Sequence, residues 1–360
     1  MEYLIYTYIF IFGTLFGSFS SVIIDRLKNK KSGIISGRSE CPKCHHKLAF
    51  YDLFPIFSFL STFGKCRYCK TKISFLYPIL ELSTGLLFFL TSYFLVDINL
   101  VLSGNFVEIY KLGFFLSIAF LSIVYVFYDI LYLEIPDSIL IILILLSFIT
   151  ISLQSIIPGF EIINLLPTLT GSLFDIGIII GVGLIMISSM YFIMFKELKE
   201  IYDVLILTVI GVIFLILKYF LYINLEQYAI GSAILAGYAV FVFLFLQIIV
   251  SRGTWMGGGD LRIAIFIGLL AGLSYSFYAV FLSYLAGSII GLLIIGYQKT
   301  KNHYIEQRRF LNKFRKILGL KKKNISLETK MRFGPFLAIG IYLVLFFDEN
   351  IIKFIDYIWQ

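Results

Sequence analysis

The sequence predicts an all-α polytopic membrane protein of about ten transmembrane helices, with one small cytosolic loop domain built around four cysteines. Three observations carry this. The 360 residues are 59% hydrophobic and 14% charged, with 38 Phe and 24 Tyr, a balance outside that of soluble globular domains. Apolar stretches of roughly 20 residues, enough to cross about 30 Å of hydrocarbon, recur along nearly the whole chain. Most of the Lys and Arg gather on alternate connections between those stretches.

The expected spans cover approximately residues 3–25, 77–97, 112–133, 138–156, 171–195, 202–223, 228–250, 260–274, 276–298 and 334–347, the eighth being short. They divide the chain into a first transmembrane helix (1–27), a cytosolic cysteine domain (28–76), a membrane core (77–298), a basic segment (299–332) and a last helix with the C-terminus (333–360). The first stretch has Glu2 and no basic residues ahead of it, and a basic flank behind it from Arg26. It reads as a retained span and not a cleaved signal.

A net charge of +8 invites a nucleic-acid reading, which the placement of the charges excludes. With the first span running inward, 27 of the 30 Lys and Arg lie on the inner side; only Lys111, Lys218 and Lys353 do not. Within 299–332, Phe310, Phe314, Ile317 and Leu318 recur at helical spacing among Arg308, Arg309, Lys313, Arg315 and Lys316. That is the pattern of an amphipathic helix lying on an anionic inner leaflet.

Cys41 and Cys44, then Cys66 and Cys69, form two pairs with two residues inside each and 21 between the pairs. Such knuckles turn both sulfurs of a pair towards one ion, the spacing of a structural four-thiolate zinc site. Two disulfides are the alternative, disfavoured on a reducing face. His45 and His46 follow Cys44 directly and are candidate substitute ligands.

Charged residues inside membrane stretches are costly, so each needs a reason. Asp129, near the inner end of the third span, and Asp260, after Gly257-Gly258-Gly259 at the inner start of the eighth, fall at the same depth. Two carboxylates that meet can share one proton and divide general-base and general-acid roles. Taken singly, Asp129 could pair locally and Asp260 could cap a helix.

These residues resemble the bacterial prepilin peptidases, aspartic leader peptidases of type IV pili and related secretion systems. Gly17-Ser18-Phe19 with Arg26-Leu27 is similar to the family's opening, and the cysteine region follows with Asp52-Leu53 and Pro55. Tyr77-Pro78 with Glu81, Asp129 with Pro136-Asp137, Gly257 to Asp260, and Phe333-Gly334-Pro335-Phe336 are similar to its later motifs, in family order. The resemblance implies Asp129 and Asp260 as the catalytic pair and cleavage of prepilin or pseudopilin leaders at the cytoplasmic face of the plasma membrane. In many members it also implies N-methylation of the new N-terminus from S-adenosylmethionine. Arg262 stands where the family commonly has Lys, Leu131 where it is often acidic, and residues 157–225 add two spans to the usual eight. This extra pair is expected to be peripheral to catalysis. The rival readings are a Gly-x-Gly-Asp intramembrane protease without methyltransferase activity, and a transporter or scaffold whose aspartates bind a cation.

Overall fold

The computed structural model describes residues 2–29, 39–41, 43–169, 172–195, 200–219, 224–252, 255–317 and 333–359. Eleven α-helices follow one another among them, with three isolated β-bridges and no strand. The first is α1 (Glu2–Lys28), followed by α2 (Phe57–Ser61) inside the cysteine loop, then α3 (Leu76–Leu95) and α4 (Ile98–Leu102). Next come α5 (Phe106–Tyr132), α6 (Asp137–Ile156), α7 (Leu173–Phe195) and α8 (Glu200–Tyr219). Last are α9 (Ala229–Ser251), α10 (Gly258–Ile317) and α11 (Gly334–Trp359).

Local chemistry sets the ends. Asn105 caps α5 by accepting from the amides of Val107 (2.9 Å) and Glu108 (3.2 Å), and Asp97 caps α4 through Asn99 and Leu100. Leu133 stops α5 in the left-handed region (φ 58°), its amide donating to the Asp129 carbonyl, and Pro136 stands immediately before α6.

The helices pack through glycine. A Cβ on Gly17 of α1 would come 2.6 Å from the Glu81 Cα of α3, and one on Gly268 of α10 would lie 2.1 Å from the Gly237 nitrogen of α9. Backbones thus approach closely where no aqueous hydrophobic effect drives helices together, and dispersion between close surfaces takes its place.

Ten full-length spans are not confirmed. Among the described residues six helices are long and apolar enough to cross: α1, α3, α5, α6, α9 and the Gly258–Gly296 part of α10. The apolar parts of α7, α8 and α11 are shorter, at Phe174–Met190, Leu205–Phe214 and Gly334–Asp348. The eighth and ninth expected stretches are joined in α10, which breaks at Gly272 (φ 63°, ψ −177°). The chain reverses there: the Tyr284 hydroxyl, beyond the break, donates to Gln247 (2.5 Å) and lies 3.4 Å from the Met256 sulfur, ahead of it. The first leg, residues 258–271, is about 21 Å long by helical rise, less than one bilayer core. In the basic segment the helix continues to Ile317, while the side chains of 299–332, and with them the expected amphipathic face, lie outside the described residues.

A turn in this environment needs its free backbone groups satisfied. The Leu273 amide donates to the Ser232 hydroxyl (3.0 Å). Over the corner lies the connection between α6 and α7, where Ile162 and Ile163 are wholly buried and Gln154 binds their backbone through its carbonyl and amide ends. Part of the inserted region is therefore core, and α7 adds buried Ile179, Met186 and Met190. The region is peripheral in sequence pattern but not in packing, because the corner it covers belongs to the helix that starts at Asp260. Alanine at Gly272 would meet Leu166 Cδ2 at 2.6 Å in a conformation nearly closed to L-residues. Gly272→Ala should cost about 1–3 kcal/mol or more, visible as a lowered melting temperature of the purified protein.

Candidate active site

Asp129 and Asp260 converge at one end of the bundle. Asp129 occupies the last turn of α5, Asp260 the first turn of α10, and each is 6% exposed. Their charges act on one another, and both act on Tyr125, a fully buried residue one turn before Asp129. The Asp260 carboxylate accepts from the Gly257 amide (3.2 Å) while its own amide donates to the Gly257 carbonyl (3.1 Å), so the glycine run folds back on the side chain it delivers. Gly259 lies against Ile135, where a Cβ would come within 2.9 Å of the Ile135 Cδ1.

A third element closes the pair. Gly334 opens α11, and a Cβ there would fall 2.7 Å from Asp129 Oδ2 and 3.5 Å from Ile263 Cδ1. The conversation of α5, α10 and α11 around the two carboxylates depends on this missing side chain. Gly334→Ala should displace Asp129 and lower turnover by about 10²-fold with little loss of folded protein, measured as initial rate against circular dichroism.

Asp137, the neighbouring acid, is turned elsewhere: it pairs with Arg262, joining the start of α6 to α10. Lys28 pairs with Glu134 (2.9 Å) and lies over the Tyr132 ring, so α1 ends at the same level as α5. Sequence reasoning singled out both aspartates but not Tyr125 or the Arg262–Asp137 pair. A tyrosine in an apolar helix and an Arg two residues past an aspartate carry no pattern of their own.

The cysteines form a second centre. Cys41, Cys44, Cys66 and Cys69 are unpaired as disulfides, and their sulfurs all lie within 4.8 Å of one another. Cys41 and Cys69 Sγ are 3.9 Å apart, against about 3.8 Å expected between thiolates bound tetrahedrally at a zinc–sulfur distance of ~2.3 Å. The two knuckles repeat one geometry. The His45 amide donates to Cys41 and that of Lys70 to Cys66 (2.9 Å each), with His45 and Lys70 both at positive φ, and the pairs Glu40–Lys47 and Lys65–Lys72 bridge their bases. Amides of Cys44 and Lys43 draw the Cys41 thiol below its ordinary value, and the Thr71 hydroxyl (3.0 Å) and amide take Cys69 down to about 6. The four residues fit a metal ion. His45 makes a weak contact with Glu40 (3.9 Å), and His46 stacks on Tyr68; the cysteine group is complete without either.

Asp52 braces this loop. Burial pushes its carboxyl up, but the Tyr68 hydroxyl (2.9 Å), Arg67 (2.8 Å) and the Ala49 amide outweigh burial and hold it below the usual carboxylate range.

Comparison with known proteins matches two stretches of the chain. Residues 11–95 match the bacterial peptidase A24 N-terminal domain, and residues 184–292, which contain Asp260, match the type IV leader peptidase family. Across these two stretches the chain resembles the type IV leader peptidases. Asp129 lies between the two matched stretches, and the second begins inside α7, within the region expected to be an insertion. The chain is 45% identical over 82 residues to a prepilin leader peptidase/N-methyltransferase of Myxococcus xanthus, covering 23% of this chain and 24% of that protein. Proteins of the same name from Vibrio cholerae (46% over 90 residues, 23% and 36%) and Bacillus subtilis (46% over 80 residues, 22% and 32%) are similarly related. The matched stretch thus spans between about a quarter and just over a third of these leader peptidases. No solved structure matches the chain.

Proposed function

We propose that this protein is a membrane aspartic endopeptidase that removes the leader peptide of type IV prepilins or pseudopilins, with Asp129 and Asp260 as its catalytic pair. The observation that carries the reading is the meeting of two buried carboxylates at one end of an apolar helix bundle. Two carboxylates whose charges act on one another favour a shared proton. The ionised member takes a proton from water as it attacks the scissile carbonyl while the protonated member donates to the carbonyl oxygen; the first then gives its proton to the departing amine as the second takes one back from the tetrahedral diol. Gly257 and Gly258 leave space beside the pair: a Cβ on Gly258 would meet nothing within 4 Å. An extended peptide needs such room.

The site lies on the cytoplasmic side of the plasma membrane in this reading, supported by the concentration of Lys and Arg on that end. Cys41, Cys44, Cys66 and Cys69 hold one structural zinc ion, which leaves no open coordination position for chemistry. N-methylation of the new N-terminus from S-adenosylmethionine is a second activity supported by the names of the relatives.

Coexpression with a prepilin from the same genome, followed by N-terminal sequencing and intact mass, tests both activities. Cleavage directly before the apolar helix with a methyl increment is expected; cleavage alone leaves a peptidase. An intact substrate together with cation-dependent binding would favour a transporter or scaffold.

A further inference from the structure

The segment between the two cysteine knuckles carries more exposed apolar surface than a loop in water keeps. Phe50, Phe54, Phe57, Leu60 and Phe63, and Phe75 just past the second knuckle, are between 52% and 90% exposed, with α2 at the centre of the first five. A patch of this kind on a soluble surface marks an interaction site, and the backbone shows at what height it sits.

The tether is Ile56. It turns at φ 62° and ψ −50°, with the Phe57 amide donating to the Pro55 carbonyl (2.5 Å), a three-residue turn rare for any residue and a true outlier for a β-branched one. Such strain persists only where surroundings enforce it. Here the Ile56 amide donates to the buried carboxylate of Glu81 on α3 (2.7 Å). Glu81 in turn lies against Gly17 of α1.

These contacts fix depth. Glu81 is five residues into α3, about 7.5 Å along its axis, and Gly17 precedes Ile24, the last apolar residue before Asp25 on α1, by about 10 Å. Ile56 is therefore held beneath the ends of the apolar stretches of both helices. Phe57 and Leu60 follow Ile56 directly in α2, and Ile79, Leu82 and Leu86 are exposed apolar residues of α3 within five positions of Glu81. Among the described residues nothing covers them.

We propose that residues 50–63, with Phe75, form an interfacial anchor that inserts into the bilayer leaflet at the end of the bundle bearing Asp129 and Asp260. Its occupant is lipid: the apolar side chains enter the boundary between headgroups and acyl chains, to the depth of about 5–10 Å usual for such segments. Lys65, Lys70 and Lys72, directly after it, meet anionic headgroups. Glu81 and the turn at Ile56 set the height of the cysteine knuckles above the membrane. This inference is independent of the proposed peptidase chemistry.

The test uses the full chain in nanodiscs of phosphatidylethanolamine and phosphatidylglycerol. With Trp255 and Trp359 replaced by Phe, single reporters Phe57→Trp and Leu60→Trp are compared in lipids brominated near the top of the acyl chains. Both reporters should lose roughly twofold or more of their emission, and aqueous acrylamide should quench them weakly. Emission indifferent to bromine and strongly quenched by acrylamide in both variants would overturn the proposal. So would indifference to bromine combined with a spectral shift on adding an apolar prepilin-like peptide, which would make the surface a peptide-docking site instead.

Discussion

Replacing either Asp129 or Asp260 by Asn should lower leader cleavage by about 10⁴-fold or more, with the double variant hardly worse than either single one. Asn keeps the shape of each side chain and deletes the exchangeable proton, so the loss reports chemistry and not packing. Non-additivity is the decisive part. Two independent contributions would multiply, whereas two carboxylates sharing one proton fail together. Folding and metal content should persist, because neither aspartate lies in the cysteine loop. Asp137→Asn serves as the neighbouring control. It removes the partner of Arg262, which loosens the start of α10 without touching the pair, and part of the activity should remain. Near wild-type cleavage by Asp129→Asn with loss in Asp137→Asn would move the site to Asp137.

The second large effect is expected at the cysteines. Metal analysis of the purified protein should give about one zinc per chain, and Cys41→Ser should bring it close to none. Four converging thiols make the case: the His46 amide draws Cys44 down, yet burial and hydrogen bonds to the Cys41 and Cys69 sulfurs push it up to about 11, so Cys44 keeps a proton that a bound cation would displace. Structural zinc contributes on the order of 10 kcal/mol or more to small folded knuckles, so residues 39–75 should become sensitive to protease while the helices stay intact. Stoichiometric disulfides with no metal would refute this centre.

Both results bear on how much was legible beforehand. Asp129, Asp260 and the four cysteines could be named from sequence because each breaks a local rule. A carboxylate in an apolar stretch has a solvation cost that needs a reason, and paired cysteines at fixed spacing have few geometrical uses. The number of crossings was less legible. Hydropathy registers apolar length, and α7, α8 and α11 hold apolar stretches without reaching full-span length in the described residues. The packing of the region 157–225 was not legible either, since Ile162, Ile163 and Leu166 join the core through partners that motif spacing does not register.

By itself, the sequence determined the membrane-helical class, the level of the two aspartates and the identity of the cysteine centre, because burial cost, hydrophobic length and knuckle spacing act over short stretches of chain. Only the tertiary structure decided what closes the pair and what holds each helix in place. Gly334 reaches Asp129 across some two hundred residues, Leu166 fills the corner at Gly272, and Glu81 holds the Ile56 amide. Each is a steric or hydrogen-bonding match between backbones far apart in sequence, and a glycine or a lone carboxylate shows nothing of such a match until its partner has been packed against it.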